Sequence, residues 1–222
     1  MKTILKNNKW TLLFTSLVTM LPSLVGLALW NTLPDKIPTH FGPDGTADGW
    51  SSKPFAIFAL PTILLFFHWV CVLCTSLDPK KQNIPPKVFG IALWICPVIS
   101  LLMESLCFAY ALGVQINMAF VMYLFVGVVF VIIGNYLPKC KQSYTMGIKL
   151  PWTLHDEANW NATHRMGGKL WVAGGLLLLI ASPFLSSPIL SFIVFFGIIL
   201  VMVLVPTVYS YLYYKKHGGK KD

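Results

Sequence analysis

The sequence predicts an all-α integral membrane protein with six transmembrane helices and both termini in the cytoplasm. Three observations lead there. The 222 residues are 56% hydrophobic and only 11% charged, where soluble domains carry about 25% charged residues. The apolar residues gather in runs of about 20, long enough to cross a bilayer. The basic residues gather in the connectors between those runs, the pattern that orients membrane proteins.

The first span is expected over residues 11–30, behind Lys2, Lys6 and Lys9. At about 1.5 Å per residue it reaches about 30 Å. Gly26-Leu27-Ala28 faintly resembles a signal cleavage site, but the run is long for a signal peptide and reads as a retained helix. Further spans are expected over 55–77, 88–112, 115–137, 169–186 and 189–213. The breaks at 113–115 and 186–188 are short enough to demand tight hairpins, and prolines 22, 61, 97 and 206 are expected to kink their helices. With the N-terminus inside, 15 of the 17 Lys and Arg residues fall on the inner side and only Lys36 and Lys53 outside. Tyr209, Tyr211, Tyr213 and Tyr214 suit an interfacial belt at the end of the last span. The organisation is one membrane domain over 1–222, with an extracellular loop at 31–54 and a cytoplasmic motif loop at 138–168 that includes a short helix.

The net charge of +9 does not imply direct nucleic-acid binding, which requires a continuous basic patch with base-stacking aromatics. Cys71, Cys74, Cys96, Cys107 and Cys140 are odd in number, and all but Cys140 fall in apolar runs, so no disulfide framework follows. No cofactor is expected.

Pro43-Asp44-Gly45 and Asp48-Gly49 punctuate the extracellular loop as turns. The loop reads as an ordered lid that packs Phe41 and Trp50 on the helix ends. His40, Asp44 and Asp48 do not follow the calcium-loop spacing, and no second His supports zinc, so no metal is expected there. The cytoplasmic island from Gly134 to Lys169 is the chain's longest polar interruption. Thr153 followed by Asp156 resembles a capping box, predicting a helix from Leu154 to Met166 with Trp160 and His164 on one face. On such a helix His155 and His164 point half a turn apart, against a shared metal.

Three polar residues are expected at membrane depth: His68, Glu104 and Asn135. A carboxylate in hydrocarbon is costly enough to mark a functional site. Glu104 and His68 lie at depths that permit but do not compel pairing. Glu104 is also the single feature that supports a transporter of a small amphipathic solute. No second buried carboxylate and no internal repeat accompanies it. Enzyme motifs are absent, so no residue is given a catalytic role. An enzyme acting in the membrane would have to rely on His164 or Asp156.

The two polar loops together resemble the SdpI family of bacterial membrane immunity proteins. Ile37-Pro38-Thr39-His40-Phe41, Gly45, Asp48-Gly49-Trp50 and Lys53 resemble the domain of unknown function that often precedes the family's signature. Gly134-Asn135, Pro138, Gly147-Ile148, Pro151-Trp152-Thr153-Leu154, Trp160, Thr163-His164-Arg165 and Gly167-Gly168 resemble the signature itself. Ser143 stands where the family commonly has Asn, and Lys149 where it commonly has Arg, which keeps the charge but loses the planar fork. The resemblance implies a bacterial plasma-membrane protein that protects its cell from a secreted peptide toxin and, in some members, recruits a cytoplasmic repressor. On that reading His40, Phe41, Asp44, Asp48 and Trp50 meet the toxin. Lys149, Pro151, Trp152, Thr153, Trp160, His164 and Arg165 meet the cytoplasmic partner. Anionic lipid heads are the expected partners of Lys139, Lys141 and Lys149.

Overall fold

The computed structural model describes residues 2–185 and 187–217, with side-chain surroundings from residue 5 onward. Ser186, Lys220, Lys221 and the side chain of Lys2, which bear on the expected hairpin and charge distribution, lie outside the described residues.

Among the described residues, six helices are long and apolar enough to cross a membrane. A short helix α1 (Lys2–Asn7) leads into α2 (Lys9–Ala28). A two-stranded antiparallel hairpin follows, β1 (Lys36–Phe41) and β2 (Ala47–Ser52). A π-type turn at Phe55–Ala59 then runs into α3 (Leu60–Leu77). Next come α4 (Pro86–Ala111), α5 (Met118–Tyr136), a short α6 (Pro151–His155), α7 (Glu157–Ala181) and α8 (Pro188–His217). Single 3₁₀ turns sit at Lys81–Asn83, Leu137–Lys139 and Ser182–Phe184. Pro22, Pro97 and Pro206 are all accommodated inside helices. The first four spans fall within a few residues of their expected positions. The connector between α4 and α5 is longer than expected, residues 112–117, and turns through Gly113 at φ +84°.

The fifth span departs most. The island helix and the membrane helix are one element, α7, which begins at Glu157 rather than near 169. The expected cap at Thr153 is also corrected. Asp156 caps α7, its carboxylate accepting the Ala158 N–H at 2.8 Å. Thr153 instead closes the separate α6, accepting the Leu150 N–H at 2.9 Å, with Pro151 at the first helical position where its missing N–H costs nothing. An Asp is the better N-cap of the two, and the chain breaks there.

The chain divides into two units: residues up to Leu77 with Phe89–Met118, and Asp78–Val88 with residues from Ala119. In the first unit the inner face of the hairpin buries Ile37 against Leu33, Ala56, Ile57, Cys107 and Phe108. Gly26 of α2 lets Ile57 and Phe108 approach, since a Cβ there would meet them at 2.7 and 3.0 Å. In the second unit α5 and α7 touch through main chain. A Cβ on Gly134 would lie 2.8 Å from the Gly168 carbonyl, and one on Gly175 2.7 Å from the Gly127 carbonyl. The two glycine contacts stand seven residues apart on each helix, two turns along a shared seam of the kind membrane helices use for close approach. Tyr123, Leu178, Ile198 and Met202 fill the neighbouring core.

Candidate functional site

Two polar regions carry the residues singled out by sequence, and they are built differently. The hairpin turns at Asp44-Gly45, with Gly45 at φ +79°. The Asp44 carboxylate accepts the Thr46 N–H at 3.1 Å and its hydroxyl at 2.8 Å. These bonds, the backbone one first, hold the Asp44 carboxyl below its ordinary value. His40 lies opposite Gly49, where any Cβ would meet its own at 2.7 Å. From there His40 Nδ1 reaches Asp48 Oδ1 at 2.5 Å. Phe41 turns inward and meets Tyr110 edge-on at 5.2 Å.

Phe41 packs on α4 as expected of the lid, while Trp50 stands 53% exposed. The alternation of β2 decides this: along Ala47–Ser52 the even-numbered side chains face outward. Lys53, an outer charge by its place in the sequence, is buried. Its ammonium donates to the Trp30 carbonyl at 3.1 Å and lies 5.3 Å above the Trp30 ring.

The island forms a sealed polar core in the second unit. Trp160 and His164 share one face as expected, with rings stacked at 4.0 Å. Trp160 donates its indole N–H to the Cys140 carbonyl at 2.8 Å. His164 Nδ1 pairs with the Trp160 carbonyl at 2.7 Å, and Nε2 accepts the Ile148 N–H at 2.8 Å. A carbonyl can only accept and a backbone N–H can only donate, so the ring is neutral with its proton on Nδ1. Both nitrogens are occupied, which leaves no lone pair for base catalysis. Gly147, at φ +113°, is required beside this pair: a Cβ there would collide with His164 Nε2 and sit 2.7 Å from Trp160. Asn159 joins α7 to α8, donating to the Ser210 carbonyl at 3.0 Å while the Thr163 and Ser210 hydroxyls donate to its oxygen. Burial pushes the Cys140 thiol up, keeping it protonated.

Asp78, which no motif in the sequence singles out, anchors the outer part of this core. It is 3% exposed. One carboxylate oxygen accepts the Tyr144 N–H at 2.9 Å, the Thr145 N–H at 2.9 Å and the Thr145 hydroxyl at 2.7 Å. The other accepts the Lys80 N–H at 2.8 Å. Beside it, Gln142 accepts from the Lys80 ammonium and donates to the Thr153 and Leu154 carbonyls at 2.7 and 2.9 Å. Asn83 donates to the Gln142 carbonyl at 2.9 Å. One signal was available: Asp78 is the only acid in a connector that holds Lys80, Lys81 and Lys87.

The set expected to meet a cytoplasmic partner splits accordingly. Thr153, Trp160 and His164 are buried inside the fold and present no surface. Lys149, Pro151 and Arg165 are exposed, and Trp152 is half-buried against Tyr211 and Tyr214. His155 sits on α6, exposed, and bonds the Pro151 carbonyl at 2.6 Å. It and His164 belong to separate helices, so the half-turn argument does not apply to them. Of the intramembrane polar residues, Asn135 is exposed on α5. His68 pairs with the Thr15 hydroxyl at 3.1 Å rather than with Glu104. Both Glu104 oxygens are buried without a hydrogen-bond partner. Among the described residues no group of three His, Cys, Asp or Glu is placed to hold a metal.

Six membrane-length helices among the described residues, a folded polar hairpin and a closed polar loop core define a multi-pass helical membrane protein. Residues 139–210 match the model of the SdpI/YfhL protein family, and residues 17–65 match a domain of unknown function, DUF1648. The chain is 27% identical over 209 residues to Immunity protein SdpI of Bacillus subtilis strain 168, covering 92% of this chain and 96% of that one. No solved structure matches it. Both resemblances read from the sequence therefore stand.

Proposed function

We propose that this protein confers immunity on its cell against a secreted, membrane-active peptide toxin by binding it, with no chemistry of its own. The observation that carries this reading is the identity with the Bacillus subtilis immunity protein, which runs nearly end to end along both chains. The distribution of Lys and Arg supports placing the termini and the island in the cytoplasm and the hairpin outside. The hairpin then meets the toxin, with exposed Trp50, His40, Asp44 and Asp48 as contacts and Phe41 as the anchor that seats them. An exposed aromatic beside a small cluster of polar groups suits an amphipathic peptide. The occupied nitrogens of His164 support a binder over an enzyme.

Recruitment of a cytoplasmic repressor is the finer reading. Lys149, Pro151, Arg165 and the open edge of Trp152 are its contact residues, and Lys139 and Lys141 rest against anionic lipid. The rival transporter reading relies on Glu104 alone. Glu104→Gln abolishes function in a transporter and leaves a binder nearly intact.

The test is survival of a sensitive bacterium that expresses the protein when challenged with a purified toxin of this class. Wild type and Trp50→Ala are compared at matched membrane abundance. Protection by wild type and its loss in Trp50→Ala supports the reading. No protection by well-expressed wild type rejects it.

A further inference from the structure

The first unit holds a column of polar side chains in its interior. From α2 come Thr15, Ser16, Thr19 and Ser23, from α3 His68, and from α4 Ser100 and Glu104, which share one buried face. Two contacts set the register of α2 against α4. The Ser100 hydroxyl donates to the Thr19 carbonyl at 2.8 Å, and Phe108 lies against Gly26. Glu104 sits midway between these levels. It is 3% exposed, and neither carboxylate oxygen has a partner.

Three of the column's hydroxyl protons go elsewhere, while the buried Ser16 hydroxyl has no partner among the described residues. Thr19 donates to the Thr15 carbonyl at 2.8 Å, Ser23 to the Ile57 carbonyl at 2.7 Å, and Ser100 to Thr19. A hydroxyl whose proton is engaged presents only lone pairs to its remaining neighbours. Pro22 adds to this, because it has no N–H to give the Val18 carbonyl four residues earlier. Glu104 thus has no donor of its own among the described residues, and the engaged hydroxyls of its column offer lone pairs alone. An uncompensated carboxylate in such a place is too costly to persist without a positive charge.

We propose that Glu104 is the binding group of a small-monovalent-cation site, for a proton or a sodium ion, in the core of the first unit. Hydroxyl, carbonyl and carboxylate oxygens are the ligand set that sodium and proton sites in membrane bundles share. The site is independent of the immunity reading and of any toxin. The other titratable groups of the elements packed here are Lys9 at the start of α2, His68, Cys71 and Cys74 on α3, and Lys87, Cys96 and Cys107 on α4. Tyr110 lies further along α4, and Lys53 and Asp35 lie beside the hairpin.

The experiment is the thermal unfolding midpoint of the purified full-length protein in detergent, followed across pH in choline and in sodium buffers. Wild type, Glu104→Gln and His68→Gln are compared. A proton site makes the wild-type midpoint fall by several degrees relative to Glu104→Gln as pH rises in choline. A sodium site restores that loss when sodium is added. Glu104→Gln responds to neither, and His68→Gln retains the wild-type response. A difference between wild type and Glu104→Gln that stays flat across pH and sodium overturns the proposal. If Glu104→Gln does not yield folded protein, wild type alone decides through modification by a hydrophobic carbodiimide, read by mass at the Glu104 peptide. Labelling that falls with rising pH or with sodium upholds the site, and labelling indifferent to both overturns it.

Discussion

The hairpin and the island are both polar interruptions of an apolar chain, yet their side chains do opposite things. In the hairpin the polar groups face out: His40 and Asp48 pair in the open, and Trp50 stands 53% exposed. In the island they face in: Gln142, Thr153, Asn159, Trp160 and His164 are all buried, and so is Asp78, which binds the island from the connector after α3. The difference follows from what lies beneath each. The hairpin rests on an apolar cluster through Ile37 and Phe41, so its strand alternation sends polar residues to the far side. The centre of the island, residues 140–150, is irregular chain, and its backbone N–H groups need acceptors that only side chains can supply. Similar composition therefore marks a surface in one place and a scaffold in the other.

The sharpest way to break this comparison is Asp78→Ala. Four donors lose one acceptor group, and a buried hydrogen bond to a charged group contributes about 1.5–3 kcal/mol. A loss of roughly 3 kcal/mol is expected, read as a lower thermal midpoint in detergent and as susceptibility of residues 142–150 to protease. An unchanged midpoint would make the island a surface loop after all. Gly147→Ala comes next. It places a Cβ against His164 and Trp160 in a backbone conformation suited to glycine, at a cost of roughly 2 kcal/mol. The measurement is again the midpoint, with quenching of tryptophan fluorescence as a check on local opening.

Trp50→Ala should act the other way round. Its midpoint is expected to stay within about 0.5 kcal/mol of wild type, as for most exposed positions, while toxin protection falls. A large loss of stability would place Trp50 in the scaffold. The smallest effect belongs to Asp44. Its carboxyl titrates below the ordinary value because ionisation strengthens the bonds from Thr46. The contribution to turn stability is present above the unfolded carboxyl range and is lost as pH falls through the folded value. Followed by NMR, the Thr46 amide should shift with a midpoint below that of a free Asp, and Thr46→Val should move that midpoint upward.

The spans were legible because a run of about twenty apolar residues suits a bilayer crossing and little else. The turn at Pro43-Asp44-Gly45 was legible because glycine chemistry is local. Trp160 and His164 were placed together by helical spacing alone. The rest depended on partners far apart in sequence. Nothing in the periodicity pairs Asp78 with Thr145 or Asn159 with Ser210. The start of α7 was hidden because two N-cap residues, Thr153 and Asp156, compete within three positions, and the capping-box pattern drew the start to the weaker one. The sides taken by Trp50 and Lys53 were hidden too, because hairpin register, set by a bulge near His40, decides which way each side chain points.

The glycine seam between α5 and α7 acts as a vernier. Two contacts of main chain on main chain, at Gly127 with Gly175 and at Gly134 with Gly168, coincide at one sliding position and at no neighbouring one, since a shift by one turn drives a side chain into the facing backbone. The helices that bracket the island are thereby locked in axial phase. Any residue inserted between Gly127 and Gly134 would throw one contact out of step with the other, and the span from Leu137 to Asp156 would have to close over a different gap. The length of that loop is an engineering tolerance set within the membrane helices themselves.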